Sequence, residues 1–150
     1  MSDLVAITNG ILDLLAADTT IAALKAQHCY GPVTTAILQT SSLAFGMGLD
    51  GEEEEGAFYR TVGHAYSRRI RFYVWSWAKG KSIELSDTAV YNLQEALKKY
   101  FRDTTHQTLG GNMLDIAIGE TDYNPAELQP GVFCSTAVFT LVATLGAALL

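Results

Sequence analysis

The sequence predicts an α+β domain with one mainly antiparallel sheet and helices packed on one face of it. Three observations carry that reading. Two amphipathic helical patterns stand at the start and two-thirds of the way along the chain. Strand-like alternation fills the stretches before and after the second helix. The resulting order is α-α-β-β-β-α-β-β, with strands in two blocks around a helix, which suits an antiparallel sheet covered by helices. The 150 residues are enough for one domain, and no repeat or linker divides them.

The first helix rests on Leu4, Ile7, Ile11, Leu14 and Leu15, which recur at helical spacing behind Ser2 or Asp3 as N-cap. Asp18 offers a second cap before Ile21 and Leu24. Cys29-Tyr30-Gly31-Pro32 closes this short helix, because a proline disfavours helical geometry in the residue before it. The Thr, Ile and Leu content near Ala36–Leu43 predicts a strand. Gly46, Gly48, Asp50 and Gly51 are expected to break the pattern. Glu52, Glu53, Glu54 and Glu55 follow, and four adjacent carboxylates repel one another, so a solvated acidic loop is expected there.

Two further strands are expected, Phe58 to Ala65 and Ser67 to Trp77. In the second, Arg69, Arg71, Tyr73, Trp75 and Trp77 fall on one face, and Ile70, Phe72, Val74 and Ser76 on the other. A strand apolar on both sides is covered on both sides, by its own domain or by a neighbour. Gly80-Lys81-Ser82 turns the chain, and Ser86 or Asp87 is expected to cap the next helix. Val90, Leu93, Leu97, Tyr100 and Phe101 line one face of that helix. Glu95 precedes Lys99 by one turn, and cations near the end suit the helix dipole. Thr104 to Gly111 reads as a loop and Met113 to Glu120 as a strand. Asp122-Tyr123-Asn124-Pro125 and Gln129-Pro130-Gly131 read as loop, a connection of about a dozen residues. Val132 to Thr144 is the last strand, pairing antiparallel with the one before it.

Composition narrows the function. Of the residues, 49% are hydrophobic and 17% charged, and so low a charged share fits a surface covered in an oligomer. The net charge of −6 argues against general nucleic-acid binding, which needs excess cations to displace counterions. The N-terminus lacks the basic region of a secretory signal. Val132 to Leu150 is too rich in Ser and Thr for a membrane span. Cys29 and Cys134 read as reduced thiols, although pairing is open. His28, His64 and His106 lack zinc-binding spacing. Gly46-Met47-Gly48 lacks the third glycine of a dinucleotide loop, and there is no P-loop or nucleophile elbow. No catalytic, cofactor or metal site is expected, and no enzyme activity.

The segment from Arg60 to Lys81 holds six of the ten cations, and no Asp or Glu interrupts it. With the acidic run just before it, it could meet a neighbouring copy head to tail, pair within the chain, or stay in water.

The order of elements resembles the tail-terminator (tail-completion, minor tail) proteins of long-tailed bacteriophages. The likeness lies in the strand at Ile70–Trp77, the polar stretch Gly80-Lys81-Ser82-Ile83-Glu84-Leu85-Ser86-Asp87 and the helix Thr88–Phe101. A Gly-Gly turn and the closing strand Phe133–Thr144, with alternating Phe and Thr, complete it. The likeness covers most of the chain, Ser67 to Leu145 best, so residues 1–150 are expected to form one tail-terminator-like domain.

The resemblance implies a structural virion protein of the tail and neck region, assembled in the host cytoplasm. It would form a homo-oligomeric ring, usually a hexamer, on the head-proximal end of the tail tube. Its partners would be the tube protein and head–tail connector or neck proteins. DNA would pass through the ring without sequence-specific binding. In that setting Arg69, Arg71, Tyr73, Trp75 and Trp77 are expected at subunit or partner contacts, and Glu52–Glu55 on the lumen or a partner-facing surface. Two other roles fit: a neck adaptor or stopper, and a small ligand-binding module or enzyme with an aromatic pocket near Trp75 and Trp77.

Overall fold

The computed structural model describes residues 4–32, 41–54, 68–103 and 115–145. Eight elements follow in the order α1 (Leu4–Ala17), α2 (Thr19–Ala23), β1 (Gln27–Tyr30), β2 (Leu43–Glu54), β3 (Arg68–Gly80), α3 (Ile83–Arg102), β4 (Asp115–Gln129) and β5 (Val132–Leu145). The expected order is thus present. The strands form one sheet in the order β1-β2-β3-β5-β4. Only the β1–β2 pair is parallel; every other pair is antiparallel.

One face of the sheet carries the core. Phe45 and Met47 of β2, Ile70, Phe72 and Val74 of β3, and Phe139 and Leu141 of β5 are buried there. Against them lie Ile7, Ile11 and Leu15 of α1, Ile21 of α2, and Leu93, Leu97 and Phe101 of α3. Phe101 meets Phe139 edge to face, with ring centroids 6.3 Å apart. The alternation of β3 and β5 therefore sorts their side chains as the sequence predicts.

Local chemistry sets the helix ends. Asp18 caps α2 as expected, its carboxylate accepting from the backbone N–H of Thr20 and Ile21, both at 3.1 Å. The α3 cap differs. Ser82, one turn earlier than Ser86 or Asp87, accepts from the Leu85 N–H at 3.1 Å. Ser86 and Asp87 are engaged elsewhere, both bonded to Ser135 of β5. Their polar atoms hold the helix to the sheet, which leaves the terminal N–H groups to Ser82.

Several strand boundaries are corrected. Gln27–Tyr30, read as the end of a helix, is strand β1. The expected strand near Ala36–Leu43 falls mostly on residues outside those described, and Leu43 instead opens β2. Gly46, Gly48 and Gly51 do not end that strand, and Glu52, Glu53 and Glu54 belong to it rather than to a loop. Glu55 and the expected strand Phe58–Ala65 lie outside the described residues, as does the loop Thr104–Gly111.

The physical reason is pairing. Glu54, Glu53 and Gly51 stand in register with Arg68, Arg69 and Arg71 of β3, so the backbone of this stretch is held in the sheet by its neighbour strand. Asp122-Tyr123-Asn124-Pro125 also lies in strand, within β4. That strand is at the sheet edge, where a proline costs no ladder hydrogen bond. The dozen-residue connection is in fact the two-residue turn Pro130-Gly131 between Gln129 and Val132. Gly131 takes φ +79°, the conformation required at the third position of a type II turn.

Candidate interaction surface

β3 places all five expected residues, Arg69, Arg71, Tyr73, Trp75 and Trp77, on the sheet face opposite the helices. Arg69 and Arg71 are exposed, and Tyr73, Trp75 and Trp77 are half-buried. β5 runs beside them with Thr136, Val138, Thr140 and Val142, also half-buried. None of the three described helices covers this face.

The strand order puts small residues beside the large rings. Ala44, Gly46 and Gly48 of β2 are in register with Trp77, Trp75 and Tyr73. A Cβ on Gly48 would lie 3.2 Å from the Trp75 indole. A Cβ on Gly46 would meet the Gly31 carbonyl oxygen at 2.1 Å, inside contact distance. The indole of Trp75 thus lies down along glycine backbone, with the Tyr73 ring 5.3 Å away, centroid to centroid. Asp50, at an irregularity in the β2–β3 pairing, receives a hydrogen bond from the Tyr73 hydroxyl. The Arg71 guanidinium is 3.6 Å from the same carboxylate. The hydrogen bond to Asp50 and its negative charge hold the Tyr73 phenol above its usual pKa.

Between β3, β5 and β4 this face sinks into an open groove of 510 Å³. Pro32, Trp75, Trp77, Thr136 and Val138 wall it, with Asp122 and Asn124 on the β4 rim. The Thr136 hydroxyl donates to the Asn124 carbonyl at 3.0 Å, tying the rim to the floor. An aromatic floor with a few polar groups at its edge suits an apolar side chain or a short apolar segment.

The two thiols lie near this face but do not meet. Cys29 and Cys134 both pack against the cluster of Ala44, Trp75 and Trp77 and both are free. β2 and β3 separate their strands, three steps of about 4.8 Å, well beyond the roughly 7 Å between Cα atoms that a disulfide spans. Burial raises both thiol pKa values, which disfavours the thiolate. His28 lies in β1 with its ring stacked on Phe45 at 5.8 Å.

A polar cluster beneath α3 was not legible in the sequence. The hydroxyls of Ser86 and Ser135 are 2.8 Å apart, Ser135 donates to Asp87, and the Gln94 amide donates to Ser76 at 2.6 Å. Ser76, Ser86, Gln94 and Ser135 are all buried. Ser76 and Ser135 break an otherwise apolar strand face, and that is the one sequence signal for the cluster. Among the described residues no group of three or more His, Cys, Asp or Glu could hold a metal ion. No described helix is long and apolar enough to cross a membrane.

These features define a class: a single-sheet α+β domain with helices on one face and an aromatic groove on the other that no described helix covers. No protein-family model matches the chain, and no curated protein matches it. Its fold is similar to that of a chain in the native gene transfer agent (GTA) virion particle. The TM-score is 0.50 at 14% identity, over 95% of this chain and 99% of that one.

Proposed function

We propose that this chain is a phage-type structural virion protein that acts by assembly and carries out no catalysis. The observation that carries the reading is the likeness in fold to a GTA virion chain, nearly end to end on both sides. The sheet face bearing Trp75 and Trp77 supports it, since a half-buried aromatic face with none of the described helices over it is suited to cover by another subunit. The finer reading is a ring, hexameric in form, that caps the head-proximal end of a tail tube and stops its polymerisation. It would present the head-joining surface to connector or neck proteins while DNA passes through. Arg69, Arg71, Tyr73, Trp75 and Trp77 would lie at subunit contacts, and the acidic run Glu52–Glu55 on the lumen or facing a partner.

Light scattering over a concentration series, with negative-stain imaging of the same samples, tests this. The expected result is a discrete oligomer with a central hole, formed alone or on adding tube protein. A chain that stays monomeric in both conditions would remove the ring. The groove favours a second reading, a small ligand-binding module. It would be preferred if the chain stayed monomeric and a small apolar ligand raised its melting temperature.

A further inference from the structure

We propose that the cavity between the end of α3 and β4 binds a small monocarboxylate with an apolar tail, its carboxylate held between Lys98 and Arg102. The site is independent of the ring reading. The cavity measures 320 Å³ and is lined by Lys98, Phe101, Arg102, Ile116, Ile118 and Gly119. That is the small end of the roughly 300–1,000 Å³ of ligand sites. It lies on the helix side of the sheet, apart from the Trp75–Trp77 groove.

Lys98 is the residue that calls for an anion. It is 7% exposed, and its ammonium stands 5.8 Å from the centre of the Phe139 ring. Among the described residues it makes no hydrogen bond or ion pair, whereas lysines buried to this degree are ordinarily paired. Glu95, three residues earlier, is the acid whose charge reaches it, and Arg102, one turn later, repels it. Like charges one helical turn apart destabilise each other. A carboxylate between them accepts charge-assisted hydrogen bonds from both. Burial is the main cause that lowers the Lys98 pKa, with Arg102 adding to it, and an anion beside the ammonium opposes both.

The walls select the rest of the ligand. Phe101 and Ile116 are buried and Ile118 is half-buried, so the space beside the two cations is apolar. Such a wall suits an alkyl or aryl body, whereas inorganic phosphate gains nothing from it.

Octanoate is the probe, with octanol as its uncharged counterpart and acetate and phosphate as anions without a tail. Calorimetric titration of the whole chain is expected to show one octanoate bound per chain, with octanol, acetate and phosphate weaker by about tenfold or more. Equal binding of octanol would make the site a purely apolar hole and overturn the proposal. Acetate or phosphate binding as tightly as octanoate would overturn it as to ligand class. No octanoate binding at millimolar concentration would overturn it outright.

Lys98→Met keeps the packing of the stem on Phe139 and removes the charge. It should weaken octanoate about tenfold or more, the size expected from losing one charge-assisted hydrogen bond, and leave octanol unchanged. Arg102→Gln, at an exposed position, guards against a folding artefact and should weaken octanoate by a smaller factor. Octanoate affinity unchanged in either variant would overturn the two-cation site.

Discussion

The two faces of the sheet are built from the same strands by opposite rules. On the helix side, Phe45, Met47, Phe72, Val74, Phe139 and Leu141 are all buried and meet three helices. On the other side, Trp75 and Trp77 gain their partial burial from glycine and alanine of the neighbouring strand and from each other's surroundings in the plane of the sheet. The first face is complete within the chain. The second is aromatic and grooved, and mixes its rings with Thr136, Thr140 and the exposed Arg69 and Arg71. The contrast teaches that large apolar side chains on both sides of a strand need not mean two internal cores. One side can be packed under helices while the other draws its partial burial from small residues of a neighbouring strand.

The largest expected effect separates the faces directly. Phe72→Ala should cost about 3–5 kcal/mol in urea denaturation, as for other fully buried aromatic truncations. Trp75→Ala should cost the fold clearly less, about 1–2 kcal/mol for its half-buried area. Equal losses would mean that the outer face is as much a folding core as the inner one.

The glycines of β2 sharpen the same comparison. Gly46→Ala should destabilise the fold by about 1–3 kcal/mol, because the new Cβ has a backbone carbonyl in its way and the β1–β2 pairing must shift. Thermal melting would check this, and a neutral result would show that the parallel β1 edge yields easily.

Ser135→Ala probes the polar seam under α3. Removing the hydroxyl leaves Ser86 and Asp87 without their shared partner and should cost about 1–2 kcal/mol. A gain in stability would show that the seam fixes the helix position at the expense of stability.

The smallest effects come with pH. Burial lowers the pKa of Lys98 below its usual 10.5, with its ammonium 5.8 Å from the centre of the Phe139 ring. The folded state therefore disfavours that charge, and stability should rise as pH climbs through the lowered value towards 10.5. Tyr73 acts in the opposite sense. Its neutral phenol is held by Asp50, so that contribution is complete below pH 10.0 and lost as pH rises through the elevated value. Denaturation curves of Lys98→Met and Tyr73→Phe across the alkaline range should each lose one of these two trends. If neither variant changes the curve, the alkaline response lies with other groups.

Much of the molecule was legible in the residue pattern. Alternation along β3 sorted Ile70, Phe72 and Val74 from Tyr73, Trp75 and Trp77. Helical spacing gave the buried faces of α1 and α3, and Asp18 announced its own helix. These features depend on near neighbours in sequence, and local geometry translates them without ambiguity. That Arg69, Arg71, Tyr73, Trp75 and Trp77 share one face was legible for the same reason.

What escaped sequence reasoning depends on residues far away in the chain. A stretch with three glycines and four glutamates has poor strand propensity, yet most of it is strand. Trp75 covers Gly48, and Arg68 to Arg71 lie alongside the acidic end. Pro125 argued for a loop until β4 proved to be an edge strand. The groove needs Pro32, Trp75, Asp122 and Thr136 from four separated segments, which meet only because β5 lies between β3 and β4. The free thiols follow from the same order, which puts two strands between them. Periodicity specifies which side of a strand faces the core. Which strands become neighbours is decided by the free energy of pairing and burial summed over the whole sheet.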